Sequence, residues 1–358
     1  MKIFFYTLGC KVNQVETSEF KTKLKLYDFK LSGDEKNADI YIVNSCSVTH
    51  IADRKTRQLA RRGKKYNEKA KVIVIGCSVN IQKEKLNKIK GIDYMINNEN
   101  KNDLIKLLLS LREKQDKSNF NKEIGTDSIP NEKKFTRKKA FIKIQDGCNK
   151  FCAYCIIPFT RGNPISYKER EIVKKAEEKL KKGYKEIVLT GINIALYKDE
   201  KTSSDLISLV SKIASLPYAF KITLSSLEPN VLDLNFLKKL LKIEKLNHKF
   251  HLSLQSGSNA ILKKMGRNYT REEFTKIIKY LRIFDEKFFI STDIIVGFPC
   301  ESEFDFLATY NLAKKAEFNH IHIFKYSKRP MTKAEKMKEQ IPDDIKTMRA
   351  RKLNSLNN

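Results

Sequence analysis

The sequence of 358 residues contains no tryptophan and no apolar run of about 18 residues, the length that crosses a bilayer. A membrane span is therefore not expected. The amino terminus is apolar but short, lacks a small-residue cleavage site and leads directly into polar sequence, which predicts a strand and not a signal peptide. Without a secretory signal, the seven cysteines favour a reducing, cytoplasmic location and a metal-binding or catalytic use.

Acidic residues are in the minority, with 42 Asp and Glu against 71 Lys and Arg, and the net charge is +29. Such an excess is typical of proteins with a polyanionic partner such as a nucleic acid. Codon bias in an AT-rich genome is the alternative, because lysine and asparagine are abundant while tryptophan is absent. The charge therefore supports a nucleic-acid partner but does not establish one.

Residues 1–112 predict an α/β domain, because short apolar, β-rich runs alternate with helical patterns. The predicted strands are residues 2–8, 38–44 and 71–75, and the predicted helices are residues 14–31 and 48–66. This alternation favours a parallel sheet wrapped by helices, of Rossmann or flavodoxin-like type. Residues 113–137 are polar, contain Gly125 and Pro130 and show no periodicity, which indicates a linker.

A second α/β domain is predicted over residues 138–330, followed by a helical extension at 331–358. Its predicted strands are residues 140–145, 186–190, 221–225, 249–255, 288–296 and 320–326, and amphipathic helices include residues 168–182, 271–284 and 302–316. Six strand–helix units are too few for a closed eight-stranded barrel, which needs roughly 250 residues. An open, partial (β/α)6 barrel fits better.

Three cysteines of the second domain, Cys148, Cys152 and Cys155, follow its first strand at C-x3-C-x2-C spacing. Sites in parallel α/β architectures gather at this carboxyl edge of the strands. Three thiolates do not close a four-ligand zinc site, but they suffice for three irons of a cubane iron–sulfur cluster and leave the fourth iron open. A zinc site completed by a distant histidine, or incidental cysteines, are the alternatives.

Three cysteines of the first domain, Cys10, Cys46 and Cys77, each directly follow an apolar strand. Neighbouring parallel strands lie about 4.8 Å apart, so residues just past their carboxyl ends can converge. Three converging thiolates can hold a second 4Fe-4S cluster, again with one free iron. Three buried structural cysteines are the alternative, since free cysteine is commonly buried.

The C-x3-C-x2-C motif with Tyr154 before its last cysteine, on a partial barrel, resembles the radical S-adenosylmethionine superfamily. The resemblance implies a 4Fe-4S cluster whose open iron chelates S-adenosylmethionine and whose electron cleaves it to a 5′-deoxyadenosyl radical. It also implies that Tyr154 stacks on the adenine, Glu228 bonds a ribose hydroxyl and Arg267 pairs with the carboxylate. The full set of implied cofactor contacts is Tyr154, Thr190, Gly191, Ser226, Glu228, Gln255 and Arg267.

Residues 8–16, 44–49 and 76–77, around the first three cysteines, resemble the amino-terminal domain of the methylthiotransferases. Further matching segments are residues 146–152, 156–158, 160–162, 251–258 and 292–299. The resemblance implies two 4Fe-4S clusters. One S-adenosylmethionine methylates sulfur carried by the auxiliary cluster, and a second yields the radical that removes the substrate hydrogen. The resemblance also implies an electron donor such as flavodoxin or ferredoxin. It does not identify the source of the sulfur.

Residues 9–14, 52–58 and 326–330 resemble the threonylcarbamoyladenosine branch of that family. The implied reaction is methylthiolation at C2 of the adenine of N6-threonylcarbamoyladenosine, next to the tRNA anticodon. A basic cluster after Cys46 is predicted to contact RNA phosphates, although a solvated charged helix face is the alternative. This basic cluster consists of Arg54, Lys55, Arg57, Arg61 and Arg62.

Several departures from the family pattern keep other functions open. Asn193 stands where a histidine is common, and Cys300 is interpreted as a spare thiol. Most family members carry a carboxy-terminal RNA-binding β-barrel, which would begin where this sequence ends and is expected to be absent. The alternatives are therefore the same reaction on isopentenyladenosine, or an iron–sulfur RNA-binding protein with impaired catalysis.

Overall fold

The computed structural model describes residues 1–118 and 138–357. The chain divides into two compact units. In the described residues, the first unit comprises residues 1–118 with Phe159–Arg161, and the second comprises residues 138–158 and 162–357. Residues 119–137 of the predicted linker lie outside the described residues. No helix within the described ranges is long and apolar enough to span a bilayer.

The first unit is built on a five-stranded, wholly parallel sheet. Its strands are β1 (Lys2–Thr7), β2 (Lys30–Leu31), β3 (Ile40–Ser45), β4 (Lys71–Gly76) and β5 (Tyr94–Ile96), and its helices are α1 (Lys11–Leu26), α2 (His50–Tyr66), α3 (Cys77–Asn87) and α4 (Asp103–Ser118). The strand order β2-β1-β3-β4-β5 is the flavodoxin-like order. Every residue of β3 is buried, as expected for a central parallel strand covered on both faces.

The register of this sheet brings the three cysteine-bearing loops to one edge. Thr7 of β1 lies opposite Asn44 of β3, and Ser45 lies opposite Gly76 of β4. Cys10 precedes α1, Cys46 follows β3 directly, and Cys77 begins α3. The carboxyl ends of three adjacent strands therefore carry the three cysteines.

Helix α1 ends earlier than the predicted range of 14–31. Its last residue is Leu26, and Asp28 adopts a left-handed conformation with φ +55°, which stops the helix. The chain then forms the two-residue edge strand β2. Both β2 and the three-residue β5 are too short to produce an alternation pattern, and for that reason the sequence predicted only three of the five strands. Helix α4 extends to Ser118, so the first residues of the predicted linker are helical.

The second unit contains six parallel strands in chain order. They are β6 (Lys139–Lys143), β9 (Glu186–Thr190), β10 (Lys221–Leu224), β11 (Lys249–Gln255), β12 (Phe289–Val296) and β13 (His320–Lys325). β6, β9 and β10 form one sheet, β11, β12 and β13 form another, and the parallel bridges Ile222–Leu246 and Leu227–Leu252 connect them. The partial (β/α)6 barrel is confirmed, and the α/β fold class with it.

The α-helices that pack around the barrel follow the cysteine loop in sequence. The loop itself runs from the short strand β7 (Gln145–Asp146) to α5 (Ile157–Arg161), and β8 (Ile165–Ser166) pairs back on β7. The following helices are α6 (Glu169–Lys181), α7 (Leu206–Ala214), α8 (Leu234–Leu241), α9 (Asn259–Met265), α10 (Arg271–Phe284), α11 (Glu303–Ala316) and α12 (Asp343–Asn354).

Strand β11 has one apolar face toward the helices and one polar face. On β11, Phe250, Leu252 and Leu254 are buried in the large core formed with the surrounding helices. His251 and Ser253 between them face the other side, because successive strand residues point in opposite directions. At β11 the inner wall of the barrel is therefore polar, unlike the interior of a closed barrel, which is filled with packed Val, Ile and Leu side chains. The polar groups of β11 are available to a ligand.

Candidate iron–sulfur and cofactor sites

The loop with Cys148, Cys152 and Cys155 is held against the β7–β8 hairpin. The side-chain amide of Gln145 donates to the carbonyl oxygens of Asp146 and Gly147, both at 2.7 Å. Gly147 has φ +69°, and a Cβ there would lie 2.0 Å from the carbonyl oxygen of Asn163. Only glycine fits, because this tight turn brings two backbone segments into contact.

The three thiols of this loop lie near one another in a largely buried environment. Burial, with smaller contributions from the neighbouring Cys152 and Cys148 thiols, raises the pKa of Cys155 to about 12. The pKa of Cys148 is likewise raised by burial, and a hydrogen bond from Asn193 lowers it in part. Burial therefore disfavours free thiolates at this site, and a metal group that binds there must displace the thiol protons.

Polar side chains at the strand ends connect two of these cysteines. The side-chain amide of Asn193 donates to Glu228 Oε2 at 2.6 Å, and Arg267 Nη1 lies 3.3 Å from Glu228 Oε1. The same Arg267 nitrogen donates to Cys152 Sγ at 3.4 Å. A hydrogen-bonded chain thus runs from Cys148 through Asn193, Glu228 and Arg267 to Cys152.

The predicted cofactor residues of the second unit lie at the carboxyl ends of its strands. Thr190 ends β9 and Gly191 follows it, Ser226 and Glu228 follow β10, and Gln255 ends β11. Gln255 has φ +65°, an uncommon conformation for a residue other than glycine.

Tyr154 is partly buried against a small apolar cluster that includes Met265 and Phe298. Burial raises its pKa well above the ordinary value for tyrosine, so the ring stays a neutral phenol. A neutral aromatic ring beside the cysteine loop is suited to stacking on a flat base.

Two buried polar atoms at these strand ends support a fit for S-adenosylmethionine. Asn193 and Ser225 are 7% and 6% exposed, and Asn193 Oδ1 and Ser225 Oγ make no hydrogen bond within the described residues. Buried polar groups are nearly always paired in native proteins. S-adenosylmethionine carries ammonium, carboxylate and ribose hydroxyl groups. These groups can form the hydrogen bonds that the two atoms do not make within the protein.

The cysteines of the first unit form a second group, in which Cys46 and Cys77 are buried and Cys10 is exposed. Gly9 has φ +87°, and a Cβ there would lie 2.6 Å from both Cβ and Sγ of Cys46. The Cys10 loop therefore packs directly against Cys46. Burial raises the pKa of Cys46 to about 12, and the neighbouring Cys77 and Cys10 thiols contribute in the same direction.

Neither cysteine set is arranged for a single metal ion. Within residues 1–118 and 138–357, no group of three or more His, Cys, Asp or Glu side chains could hold one ion. A cubane cluster does not need such convergence, because each of its cysteines binds a different iron. Three thiols at each site are the donor type that an iron–sulfur cluster uses.

Sequence reasoning missed several polar side chains around the first cysteine set. Glu16 forms buried ion pairs with Lys101 Nζ at 2.5 Å and with Arg161 Nη1 at 3.0 Å. Asn98 contacts Cys77, and Asn13 accepts from Arg161 at 2.6 Å. No spacing motif predicts these contacts, because the partners lie up to 148 residues apart in the sequence.

The structure divides the predicted RNA-binding residues of α2 into two groups. Arg57 donates to Gln82 at 3.0 Å, and Arg62 pairs with Glu35. Arg54, Lys55 and Arg61 are exposed. The last three are therefore the better candidates for contacts to a polyanion.

Replacing Gly9 by alanine is expected to disrupt the site of Cys10, Cys46 and Cys77. The new Cβ would overlap Cys46 and would also require the unfavourable positive φ, so the Cys46 thiol must move. The expected result is a loss of about half of the bound iron after anaerobic reconstitution, measured by iron and sulfide analysis. Gly33→Ala is the matched control, since a Cβ there meets no atom within 4 Å. Full iron content in Gly9→Ala would contradict this prediction.

The two units correspond to two known families. Residues 142–313 match the model of the radical SAM superfamily, and residues 2–97 match the model described as uncharacterized protein family UPF0004. In overall fold, the chain is similar to the radical S-adenosylmethionine methyltransferase TsrM from Kitasatospora setae, solved with cobalamin and a 4Fe-4S cluster bound. The TM-score is 0.67 with 13% identity, over 93% of this chain and 76% of that one.

Two relatives that match nearly the whole chain have names that describe methylthiolation of an adenosine in tRNA. The chain is 38% identical to the threonylcarbamoyladenosine tRNA methylthiotransferase of Aquifex aeolicus, over 99% of this chain and 88% of the relative. It is 34% identical to the tRNA-2-methylthio-N(6)-dimethylallyladenosine synthase of Thermodesulfovibrio yellowstonii, over 97% of this chain and 81% of the relative. The chain therefore belongs to the tRNA methylthiotransferase family of radical S-adenosylmethionine enzymes.

Proposed function

We propose that this enzyme methylthiolates C2 of the adenine of N6-threonylcarbamoyladenosine in tRNA. The observation that carries the proposal is the presence of two separate three-cysteine sites, each at the carboxyl edge of its own parallel sheet. A radical enzyme that only cleaves S-adenosylmethionine needs one such site, whereas sulfur insertion needs a second place where sulfur can be held. The name of the Aquifex aeolicus relative supports the threonylcarbamoyl substrate.

In the second unit, Cys148, Cys152 and Cys155 hold the cluster that binds S-adenosylmethionine. When bound, the cluster and S-adenosylmethionine supply the electron and the carbon radical that removes the substrate hydrogen. The planar guanidinium of Arg267 suits a carboxylate, and Glu228 beside it can accept from a ribose hydroxyl. Tyr154 covers the adenine and helps to exclude water from the site.

In the first unit, Cys10, Cys46 and Cys77 hold the auxiliary cluster that carries the sulfur. Cys46 and Cys77 are each 4% exposed, whereas Cys10 is exposed, so this site is open to solvent on the Cys10 side. An external one-electron donor such as flavodoxin or ferredoxin is needed, because the amino-acid side chains of these sites do not supply the electron for cleavage of S-adenosylmethionine. A tRNA substrate also supports a cytoplasmic location.

The exposed Arg54, Lys55 and Arg61 of α2 are proposed to contact tRNA phosphates. Such contacts position a substrate without reading its bases, and they weaken with salt because bound counterions are released. Arg57 and Arg62, which are held by Gln82 and Glu35, serve mainly to brace α2.

Nucleoside mass spectrometry of tRNA tests the substrate. In a strain lacking this gene, 2-methylthio-N6-threonylcarbamoyladenosine is expected to disappear, while unmodified N6-threonylcarbamoyladenosine accumulates. Expression of the wild-type chain restores the product, and expression of the Cys10→Ala variant is the matched control that does not. Persistence of the product in the deletion strain would contradict the proposal. Loss of the 2-methylthio form of isopentenyladenosine would instead show that the enzyme acts on the isopentenyl substrate.

A further inference from the structure

Asn98 is the side chain outside the cysteine set that contacts Cys77 most directly. It lies two residues after β5, and its side-chain nitrogen is 3.2 Å from Cys77 Sγ and 2.7 Å from the carbonyl oxygen of Thr160. A carbonyl oxygen can only accept, so Thr160 fixes the orientation of the amide group. The amide therefore presents its second N–H, and not its oxygen, to the sulfur.

The backbone holds Asn98 in this position. Its own N–H donates to Asn80 Oδ1 at 3.1 Å, and Asn80 lies on α3, the helix that begins with Cys77. Asn98 and Cys77 are therefore attached to the same helix. The cost of this arrangement is that Asn98 Oδ1 is buried without a partner in the described part of the chain. Such orphaned groups often mark a functional constraint.

We propose that Asn98 is a positioning residue that tunes the reduction potential of the cluster held by Cys10, Cys46 and Cys77. This inference rests on the proposed function, which places a cluster there. An N–H group that donates to a ligating sulfur withdraws electron density from the iron–thiolate bond, which stabilises the reduced cluster and raises its potential. The amide is uncharged, so it does so without adding a further buried charge to the neighbouring Glu16, Lys101 and Arg161 group.

The test uses the full chain with Cys148, Cys152 and Cys155 replaced by alanine, so that only the auxiliary cluster is present. Asn98→Leu has a similar volume but no N–H donor, and Asn98→Asp has the same shape with acceptor oxygens toward the sulfur. Both are expected to retain the iron of the parent and to shift the midpoint potential to more negative values. The aspartate variant is expected to shift it further. Redox titration followed by electron paramagnetic resonance measures the potential.

Asn97→Ala is the matched control, because Asn97 is the preceding residue of the same loop and its side chain accepts from the Asn100 N–H at 2.9 Å. The inference is wrong if Asn98→Leu leaves the potential unchanged, or if Asn97→Ala shifts it equally. Loss of iron in both Asn98 variants would show a purely structural role and would also overturn it. If the parent variant itself binds no iron, the failure lies in the proposed auxiliary cluster.

Discussion

Replacing Cys148, Cys152 and Cys155 together by alanine is expected to abolish 5′-deoxyadenosine formation completely. We propose that the thiolates of these residues are the soft ligands of one of two clusters, and no other cysteine of the second unit except Cys300 remains to replace them. Bound iron is expected to fall from about eight to about four atoms per chain, since the other cysteine set stays intact. Anaerobic incubation with S-adenosylmethionine and dithionite, followed by chromatography, measures the product.

Cys300→Ala is the matched control for this experiment. Cys300 is partly exposed, and it lies in the loop after β12, outside the described cysteine loop. Its removal is expected to leave both the iron content and 5′-deoxyadenosine formation at wild-type levels. Product formation by the triple variant would show that the cluster of the second unit is not the source of the radical.

The substitution Glu16→Gln is expected to lower the free energy of unfolding more than any other substitution proposed for this protein. Glu16 is the shared partner of two buried cations, with side-chain exposures of 8% for Lys101 and 2% for Arg161. A neutral amide has nearly the same shape, but it leaves both positive charges without their carboxylate. Removing one partner of a buried ion pair costs about 3–5 kcal/mol, and we expect about 3 kcal/mol because the amide oxygen can still accept a hydrogen bond.

Urea unfolding followed by circular dichroism measures this loss as a lower midpoint. Asp103→Asn is the matched control, because Asp103 also pairs with a lysine, Lys106, but both side chains are more than half exposed. Exposed pairs contribute between about 0 and 1 kcal/mol, so the control midpoint is expected to stay close to wild type. Equal midpoints for Glu16→Gln and wild type would show that the buried charge group does not stabilise the first unit.

The long periodic elements were predictable from the sequence. The strands Glu186–Thr190 and Lys249–Gln255 and the helix Arg271–Phe284 have the predicted bounds, because each has a clear apolar period and a polar boundary. Helix α10 also begins with a capping box in which Thr270 and Glu273 bond each other's backbone, a signal visible in the sequence. The short edge strands β2 and β5 were not predicted, because they have no recognisable pattern of their own. They are strands because they pair with the neighbouring strands β1 and β4.

The sequence by itself determined which six thiols stand at strand ends, and local spacing and strand alternation were sufficient for that. Only the tertiary structure decided what surrounds them. Gly9 packs on Cys46, Asn98 reaches Cys77, and Glu16 meets Lys101 across 85 residues of sequence. Such contacts depend on sheet register and loop packing, which no local pattern encodes. The cysteines were therefore sufficient to predict the chemistry, whereas the side chains that contact them could not be predicted.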